Sequence, residues 1–442
     1  MIDPQDRKRQ REALRAKRQA KQKVFRLLTA AAVLLVAVIV VIALIGRGCT
    51  PAQPDPTDPP TQPPIETTVP PTSGDTQPDS TPAPEDSTAP EETTAPVSET
   101  TVIHFVAGGD VNITEKTVAS GGIDYDYTQT FMDVAPLLAG ADLTALNLEG
   151  TLCGAPFGST ASAPQSFVEA LRRAGVDMLQ LANSYSMHRG VSGLRTTISN
   201  VQAAGLTPIG VFNDSEDFQR TGGFTLFNVK GVKVAVVAFT KGMLNGTGIP
   251  SADYREMINI LYTDIRTYQK VDTERITNIL DAVASQKPDV TIALVHWGSA
   301  NNDTHSSSQT TIKNLMLENG VDAIIGTHPH RVQEIEYDEE NGTLVAYSLG
   351  DFISDAVTSG TEYSILLDLE ITKNNKTGTT TITGYSYTPL LTVAEEDEPV
   401  RVVRIREAIA AYDSNYVDKV SDSTYSKLTY ALKRIEARVQ SD

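Results

Sequence analysis

Short apolar runs alternate with helix-like segments from Thr101 onward, and this alternation limits the fold more than any other feature of the chain. The predicted strands are Ile103–Ala107, Leu143–Leu148, Met178–Ala182, Val232–Phe239, Val290–Val295 and Ala323–Gly326. The predicted helices cover residues 166–175, 193–205, 275–285 and 311–320. Such alternation predicts a layered α/β domain with mixed sheets, because each helix returns the chain to a neighbouring strand and covers a sheet face.

The region between residues 331 and 391 changes to consecutive strands. Residues 336–350 contain an Asn-Gly pair between two strand-like runs, which is a strong signal for a β-hairpin. Residues 364–387 predict a second hairpin. The last predicted element is a helix whose apolar residues share one face: Leu428, Leu432, Ile435 and Val439.

A long apolar run lies near the N-terminus. Leu27 to Ile45 reads LLTAAAVLLVAVIVVIALI, and 19 residues at about 1.5 Å each span roughly 28 Å, enough for a bilayer's hydrocarbon core. Residues 1–26 are strongly basic, so we predict a cytoplasmic head at 1–26 and a transmembrane helix at 27–46. A cleaved secretory signal is the open alternative. Either interpretation places the following residues outside the cell.

Residues 47–101 are predicted to be a disordered linker. Fourteen of the 24 prolines fall between residues 51 and 100, together with 10 acidic and no basic residues. Almost nothing apolar is available there to offset the entropy of ordering. The segment is either a stalk that lifts a domain through the cell wall or a passive tether. We expect the main domain at 102–395, outside a single-pass cell-membrane anchor, and a helical C-terminal segment at 396–442.

The overall composition excludes several classes of protein. The formal net charge is −18, with 37 Lys+Arg against 55 Asp+Glu, so we expect no nucleic-acid partner. Two cysteines, Cys49 and Cys153, exclude a disulfide scaffold and a cysteine-rich metal site.

Polar side chains follow five of the predicted strands at the point where each strand ends. These candidates are Asp110, Glu149, Asn183, His296, His328 and His330. Ligands of α/β folds collect at this edge, and a metal ion needs several oxygen and nitrogen ligands around one point. The mixture of carboxylates and imidazoles favours zinc, manganese or iron over calcium and magnesium. Two such ions can clamp a phosphoryl group and activate water.

Each of these residues has an ordinary structural explanation when it is taken alone. A single Asp after a strand is commonly a turn residue, and Asn147 or Asn183 could cap a turn. His296 beside Trp297 could be a hydrogen-bonded, half-buried histidine. The recurrence of such residues after successive apolar runs is what favours a metal site. His104 and His305 lack this setting, so we predict surface or structural roles for them.

Six motifs together resemble the CapA-like family of poly-γ-glutamate capsule synthesis proteins, within the calcineurin-like metallophosphatase superfamily. They are GGDVNI at 108, NLEGTL at 147, LANSYSMHRG at 181, HWG at 296, GTHPHRVQ at 326 and YSLGDFISD at 347. The resemblance implies a four-layer α/β/β/α sandwich with a site for divalent metal ions, two by the superfamily's pattern, at the strand ends. It carries over all six candidates above as metal ligands.

The chain departs from the family pattern at two places. Tyr185 stands where relatives usually have a histidine that serves as proton donor, so Tyr185 or the nearby His188 is the predicted catalytic residue. Asp351 replaces a usual asparagine and adds a carboxylate. The residues predicted to contact substrate are Asn112, Asn147, Arg189 and Asp351.

The resemblance implies a membrane-anchored, extracellular, metal-dependent phosphoesterase-like hydrolase of poly-γ-glutamate capsule synthesis or export. Its substrate would be the anionic polymer or a phosphoester, and membrane polymer-synthase subunits are the implied partners. The alternative is a non-catalytic metal-containing subunit that retains the polymer or helps to export it. A solute-binding domain would also have α/β texture, but it would not explain the His-Pro-His sequence at 328–330.

Overall fold

The computed structural model describes residues 98–243, 252–393, 399–416 and 420–439. The predicted basic head, transmembrane helix and nearly all of the predicted linker lie outside these residues. Within the described ranges, none of the helices combines the length and the apolar character needed to cross a bilayer.

The described strands and helices follow one another in the order that the alternation predicts. The strands are β1 (Thr100–Asn112), β2 (Leu143–Glu149), β3 (Met178–Gln180), β4 (Thr207–Ile209), β5 (Phe224–Val229), β6 (Val232–Thr240), β7 (Val290–His296), β8 (Ala323–Thr327), β9 (Ile335–Asp338), β10 (Thr343–Ala346), β11 (Tyr363–Asn374), β12 (Thr380–Val393) and β13 (Arg401–Arg404). The helices are α1 (Glu115–Ala119), α2 (Thr128–Phe131), α3 (Ala135–Gly140), α4 (Gln165–Ala174), α5 (Gly190–Ala203), α6 (Ser215–Thr221), α7 (Thr273–Ser285), α8 (Ser307–Glu318), α9 (Ile405–Asp413) and α10 (Asp422–Val439), with a 3₁₀ helix at Ala252–Met257.

The strands form two mixed sheets, which confirms the predicted α/β class. The first sheet has the order β13-β12-β11-β1-β2-β3-β4, and β1 to β4 pair in parallel. The second has the order β5-β6-β7-β8-β10-β9, with a parallel centre from β6 to β10. Both predicted hairpins are present, because β9 pairs with β10 and β11 with β12 in antiparallel fashion.

The second sheet has apolar layers on both faces. Along β6, Val234 and Val236 belong to the core that includes the first sheet, whereas Val237 and Phe239 belong to a second core shared with α7 and α8. Successive side chains of a strand point to opposite faces, so one face of this sheet packs toward the first sheet and the other packs under helices. This arrangement brings the ends of both parallel strand sets to one region.

An aspartate precedes each of four parallel strands and joins it to the neighbouring strand. The aspartate carboxylate accepts a hydrogen bond, at 2.7 to 3.0 Å, from the backbone N–H of one residue in the neighbouring strand. The backbone N–H of the aspartate in turn donates to the carbonyl of that residue. The four pairs are Asp142 with His104, Asp177 with Thr144, Asp289 with Lys233 and Asp322 with Thr291. These pairs satisfy donors at the start of each neighbouring strand and lie at the edge opposite the strand ends.

The C-terminal segment contributes to the sheet as well as forming helices. Strand β13 pairs with β12 and extends the first sheet, and α9 and α10 follow it. Near the end of α10, Arg434 and Arg438 both approach Asp303, which also accepts a hydrogen bond from Arg331 at 2.9 Å. One carboxylate therefore connects the C-terminal helix to the residue that follows His330.

Candidate metal centre

A close approach between two backbone segments places Asp110 at the end of β1. The β1–β2 register shifts between Ala107 and Asp110, and the N–H of Asp110 donates to the carbonyl of Gly350 at 3.0 Å. A Cβ atom at Gly109 would lie only 1.8 Å from that carbonyl oxygen. Gly109 is therefore required for the approach that brings Asp110 beside Asp351.

Six buried or half-buried side chains from β1, β2, β7 and the segments after β8 and β10 converge at this point. They form three sets, and within each set the ligating atoms lie within 4.8 Å of one another. The sets are Glu149 with His328 and His330, Asp110 with His330 and Asp351, and Asp110 with Glu149 and His296. The residues that these sets share would hold a divalent metal ion through carboxylate oxygens and imidazole nitrogens.

Two atoms in the cluster indicate that the residues fit a metal ion. His328 Nδ1 is buried without a hydrogen-bond partner, and Glu149 Oε1 is buried with only the charge pair to His296 Nε2, at 3.0 Å, and no hydrogen bond of acceptable geometry. Unsatisfied buried polar atoms are costly in proteins and call for a ligand that satisfies them. His328 and His330 also have positive φ values, 92° and 59°, and such strained backbone commonly marks a functional site. The donor set of carboxylates and imidazoles suits zinc, manganese or iron.

The histidines are positioned by short polar contacts. His296 is fully buried, with Nε2 3.0 Å from Glu149 Oε1 and Nδ1 3.2 Å from Thr327 Oγ1. His330 has Nδ1 2.8 Å from Asp351 Oδ1 and Nε2 3.9 Å from Glu149 Oε2. Each ring thus has its orientation fixed by a neighbour, as ligating histidines usually do.

Burial and charge shift the pKa values of the cluster strongly. Burial raises the pKa of Asp110 to about 6, and the neighbouring Glu149 charge adds to this rise. Burial likewise raises the pKa of Asp351 to about 7 against the opposing influence of His330. Burial alone would lower the pKa of His330, but the Glu149 and Asp351 carboxylates outweigh it and raise the pKa to about 10. A cation is therefore favoured among these acids.

His328 has the opposite electrostatic behaviour. Burial lowers its pKa well below the ordinary histidine value, and the charges of His296, Lys241 and His330 lower it further. Its imidazole is neutral at neutral pH. A neutral ring with an unpartnered nitrogen is the form of histidine that binds a metal ion.

Two asparagines form a chain of hydrogen bonds beneath the cluster. Asn147 Nδ2 donates to Asp110 Oδ1 at 2.5 Å, and Asn183 Nδ2 donates to Asn147 Oδ1 at 3.0 Å and to the Leu148 carbonyl at 2.7 Å. Asn183 Oδ1 accepts from the N–H of Tyr185 at 2.9 Å. Asn147 thus orients a carboxylate of the cluster, and Asn183 lies one hydrogen bond further away. Their predicted substrate and metal roles stay predictions.

The remaining predicted residues lie around the cluster at different depths. Tyr185 is half-buried, and burial, followed by the charges of Glu149 and Asp355, raises its pKa to about 12. His188 is exposed, with its ring centroid 5.5 Å from that of Tyr185. Arg189 is exposed at the start of α5, and Asn112 pairs with Glu149 in the β1–β2 register. Among the described contacts, the cluster meets neither His188 nor Arg189.

Three residues that the sequence analysis did not name also lie at this edge. Ser184 Oγ is 3.0 Å from His296 Nε2, and Thr327 Oγ1 contacts the other nitrogen of that ring. Lys241 directly follows β6, and burial lowers its pKa. The strand-end signal applied to Val232–Phe239 would have found Lys241, since it stands two residues beyond that apolar run.

Solved structures similar to this chain include a calcineurin-like phosphoesterase and a phosphatase. A calcineurin-like phosphoesterase, YfkN from Bacillus subtilis, is 15% identical with a TM-score of 0.41, and the match covers 66% of this chain and 90% of that one. A phosphatase from Mycoplasma pneumoniae is 14% identical with a TM-score of 0.38, covering 68% and 95% of the two chains.

Two curated proteins match part of the chain. The PGA biosynthesis protein CapA of Bacillus subtilis is 28% identical over 266 residues, covering 60% of this chain and 63% of that protein. The capsule biosynthesis protein CapA of Bacillus anthracis is 26% identical over 261 residues, covering 57% and 59%. The match thus spans less than two thirds of each relative. A family model described as "Bacterial capsule synthesis protein PGA_cap" matches residues 104–356, more than half of the 442 residues. The chain therefore belongs to the PGA_cap family of bacterial capsule synthesis proteins.

Proposed function

We propose that this protein is a metal-dependent hydrolase-like component of poly-γ-glutamate capsule synthesis or export. The observation that carries the proposal is the convergence of three overlapping donor sets at one point. The names of the two CapA relatives supply the capsule context. The substrate would be the anionic polymer or a phosphoester.

The chain's own residues would bind and orient the reacting group. When bound, divalent ions supply Lewis acidity toward a phosphoryl or carbonyl oxygen and make a nearby water more acidic. Glu149, Asp110 and His330 each belong to two donor sets, so they would hold the ions together. Asp351 fixes the His330 ring through Nδ1, and Asn147 fixes Asp110.

The proton donor is the weakest part of a hydrolytic mechanism here. Tyr185, with a pKa of about 12, keeps its proton at neutral pH and can donate a hydrogen bond to a substrate oxygen. It is a poor acid for full proton transfer. This observation favours the second candidate function, a non-catalytic subunit that binds the polymer through its metal ions. His188, which is exposed, would need to turn toward the cluster to act.

The wider setting is also part of the proposal. The finer architecture is a four-layer α/β/β/α sandwich of the metallophosphatase kind. Residues 27–46 would cross the cell membrane with the N-terminus in the cytoplasm, and the acidic linker would carry the main domain outside. Membrane subunits of the polymer synthase are the proposed partners. The basic, apolar and acidic segments of the N-terminal 101 residues support the proposed anchor and linker.

The test measures the metal content of the protein and its hydrolytic activity on the same preparation. We expect the purified full chain to retain Mn²⁺, Zn²⁺ or Fe and to hydrolyse bis(p-nitrophenyl) phosphate when Mn²⁺ is added. A chain with both His328→Ala and His330→Ala should lose metal and activity. His104→Ala is the control, because His104 is half-exposed and pairs with Asp368 away from the cluster.

Each outcome separates the two candidates. Metal binding with hydrolysis supports the enzyme. Metal binding without hydrolysis of the phosphodiester or of poly-γ-glutamate supports the non-catalytic subunit. A wild-type chain that retains no metal under any loading condition contradicts both.

A further inference from the structure

A lysine stands at the strand-end edge next to the metal-binding cluster. Lys241 follows β6, and its backbone N–H donates to the carbonyl of His296 at 2.8 Å. The preceding residue, Thr240, pairs with His296 in the parallel register. Thr240 is thus level with His296, and Lys241 lies one residue further along, just after the end of β6.

The ammonium group of Lys241 has only neutral partners among the described residues. Its Nζ donates to the carbonyl of Gly298 at 2.6 Å and lies 4.8 Å from the ring centroid of Tyr268. By contrast, Lys313 and Lys373 each pair with a carboxylate, at 2.9 and 2.7 Å. A half-buried ammonium has three donors, and a single carbonyl does not neutralise its charge.

Lys241 lies beside His296 of the metal-binding cluster. Its N–H donates to the His296 carbonyl at 2.8 Å, and its Nζ donates to the carbonyl of Gly298, two residues further along the chain. Its charge is also among those that lower the pKa of the His328 ring. A lysine so placed raises the cost of binding metal cations nearby, so stability alone does not account for it. An anion that contacts both the ions and the ammonium would relieve this repulsion.

We propose that Lys241 binds a negatively charged oxygen of the substrate, from a phosphoryl or a carboxylate group, at the edge of the metal centre. This inference rests on the proposed function and adds to it a residue that recognises substrate charge. The chain carries a formal charge of −18, so a polyanion needs such a local positive group beside the site.

The experiment measures anion binding by the full chain, using isothermal titration with inorganic phosphate and, separately, with L-glutamate. Each titration is run on protein loaded with Mn²⁺ and on protein treated with chelator. The variants are Lys241→Met, Lys241→Arg and the matched control Lys233→Met. Lys233 lies at the other end of β6, and its Nζ also donates to a backbone carbonyl, that of Gln286, at 2.9 Å.

We expect Lys241→Met to weaken anion binding about tenfold or more, since it removes a hydrogen bond from a charged donor. Its binding should also depend less on salt concentration than wild-type binding does. Lys241→Arg should stay within about threefold of wild type, and Lys233→Met should match it. Stronger binding of phosphate identifies a phosphoryl group, and stronger binding of L-glutamate identifies a carboxylate.

Two results would overturn the inference: equal anion affinity in Lys241→Met and Lys233→Met, or a wild-type chain that binds neither anion. Thermal denaturation checks that the variants are folded, and Lys241→Gln, which also removes the charge, replaces Lys241→Met if that variant unfolds. Failure of the proposed function is a separate result, namely no retained metal. The chelated arm still compares the two lysines in that case.

Discussion

Replacing Gly109 with Ala tests whether the contact between β1 and the segment before Asp351 holds the site together. The added Cβ would lie 1.8 Å from the carbonyl oxygen of Gly350, whereas real Cβ contacts stay beyond 3.0 Å. The two backbones must therefore separate by at least 3.0 − 1.8 = 1.2 Å. The atoms nearest the added Cβ all belong to the backbone of Leu349 and Gly350, so the shift must come from that backbone or from the backbone that carries Asp110.

The expected loss of stability follows from that displacement. Overpacking of this kind costs about 1–3 kcal/mol, and losing the 3.0 Å hydrogen bond from Asp110 to Gly350 adds about 1 kcal/mol. We expect Gly109→Ala to lower the free energy of unfolding by about 3 kcal/mol. The melting temperature should fall by roughly 4 °C, because the unfolding entropy of a domain of this size is large, at about 2.1 cal/mol/K per residue. Metal affinity should fall as well, because Asp110 belongs to two of the donor sets.

The matched control is Gly384→Ala in β12, in the same sheet, where an added Cβ meets no atom within 4 Å. That change should be neutral or stabilise by about 0.5 kcal/mol, since Gly costs more entropy than Ala in a strand. Urea denaturation gives the free energies, and titration with Mn²⁺ gives the affinities. If the two variants differ by less than about 1 kcal/mol and bind Mn²⁺ equally, the contact at Gly109 does not have the role described.

Four further predictions concern two of the aspartates that precede strands, the C-terminal helix and the metal centre. Burial raises the pKa of Asp322, so ionisation of its carboxyl lowers the free energy of unfolding as the pH rises through the folded-state pKa. Asp322→Asn should remove this pH-dependent loss of stability, as measured by urea denaturation between about pH 4 and 8. At Asp142 burial is outweighed by the hydrogen bonds from Lys230 and His104, which lower the pKa of the carboxyl, so its stabilising effect is present at neutral pH and disappears as the pH falls through the folded-state pKa. Asp142→Asn should therefore lower the free energy of unfolding at pH 7 by about 1 kcal/mol. Equal pH profiles of stability for Asp322→Asn and Asp142→Asn would contradict these two assignments. Asp303→Ala leaves three arginines without their shared carboxylate and should speed amide hydrogen exchange in α10, whereas Glu436→Ala, which removes only the exposed pair with Arg406, should not. Chelation should lower the melting temperature by several degrees, because metal binding stabilises the folded state by mass action, and re-addition of Mn²⁺ should restore it; no shift in differential scanning fluorimetry would count against a metal centre.

The strand-end rule explains why so much of the site could be predicted from sequence. Asp110, Glu149, His296 and His328 each stand at or just after a strand, and parallel strands bring such positions to one edge. The two hairpins and the helix over Leu428 to Val439 could also be predicted from the sequence, because turn residues and the spacing of apolar residues are local signals. Membership of the capsule synthesis family, expected from the motifs, is confirmed.

What could not be predicted depends on contacts between distant segments. The environment of Tyr185 depends on the Glu149 and Asp355 charges, which no local pattern reports. Strand β13 is a four-residue segment whose partner is β12, so a search for periodicity in the C-terminal segment favoured helices alone. The aspartate pairs before four strands could not be predicted, because an Asp just before a strand is equally typical of an ordinary turn.

The pairing of β11 with β1 has a consequence for any shortened form of the protein. Strand β1 carries Asp110 and pairs with β11 over eight residues, from Thr100 to Ala107. The region that matches the family model ends at residue 356, before β11 begins at Tyr363. A chain cut there would leave the long, apolar β1 with unpaired backbone groups along one side. Such unpaired edges recruit strands from other molecules, so the cut protein should precipitate rather than fold as a smaller independent domain.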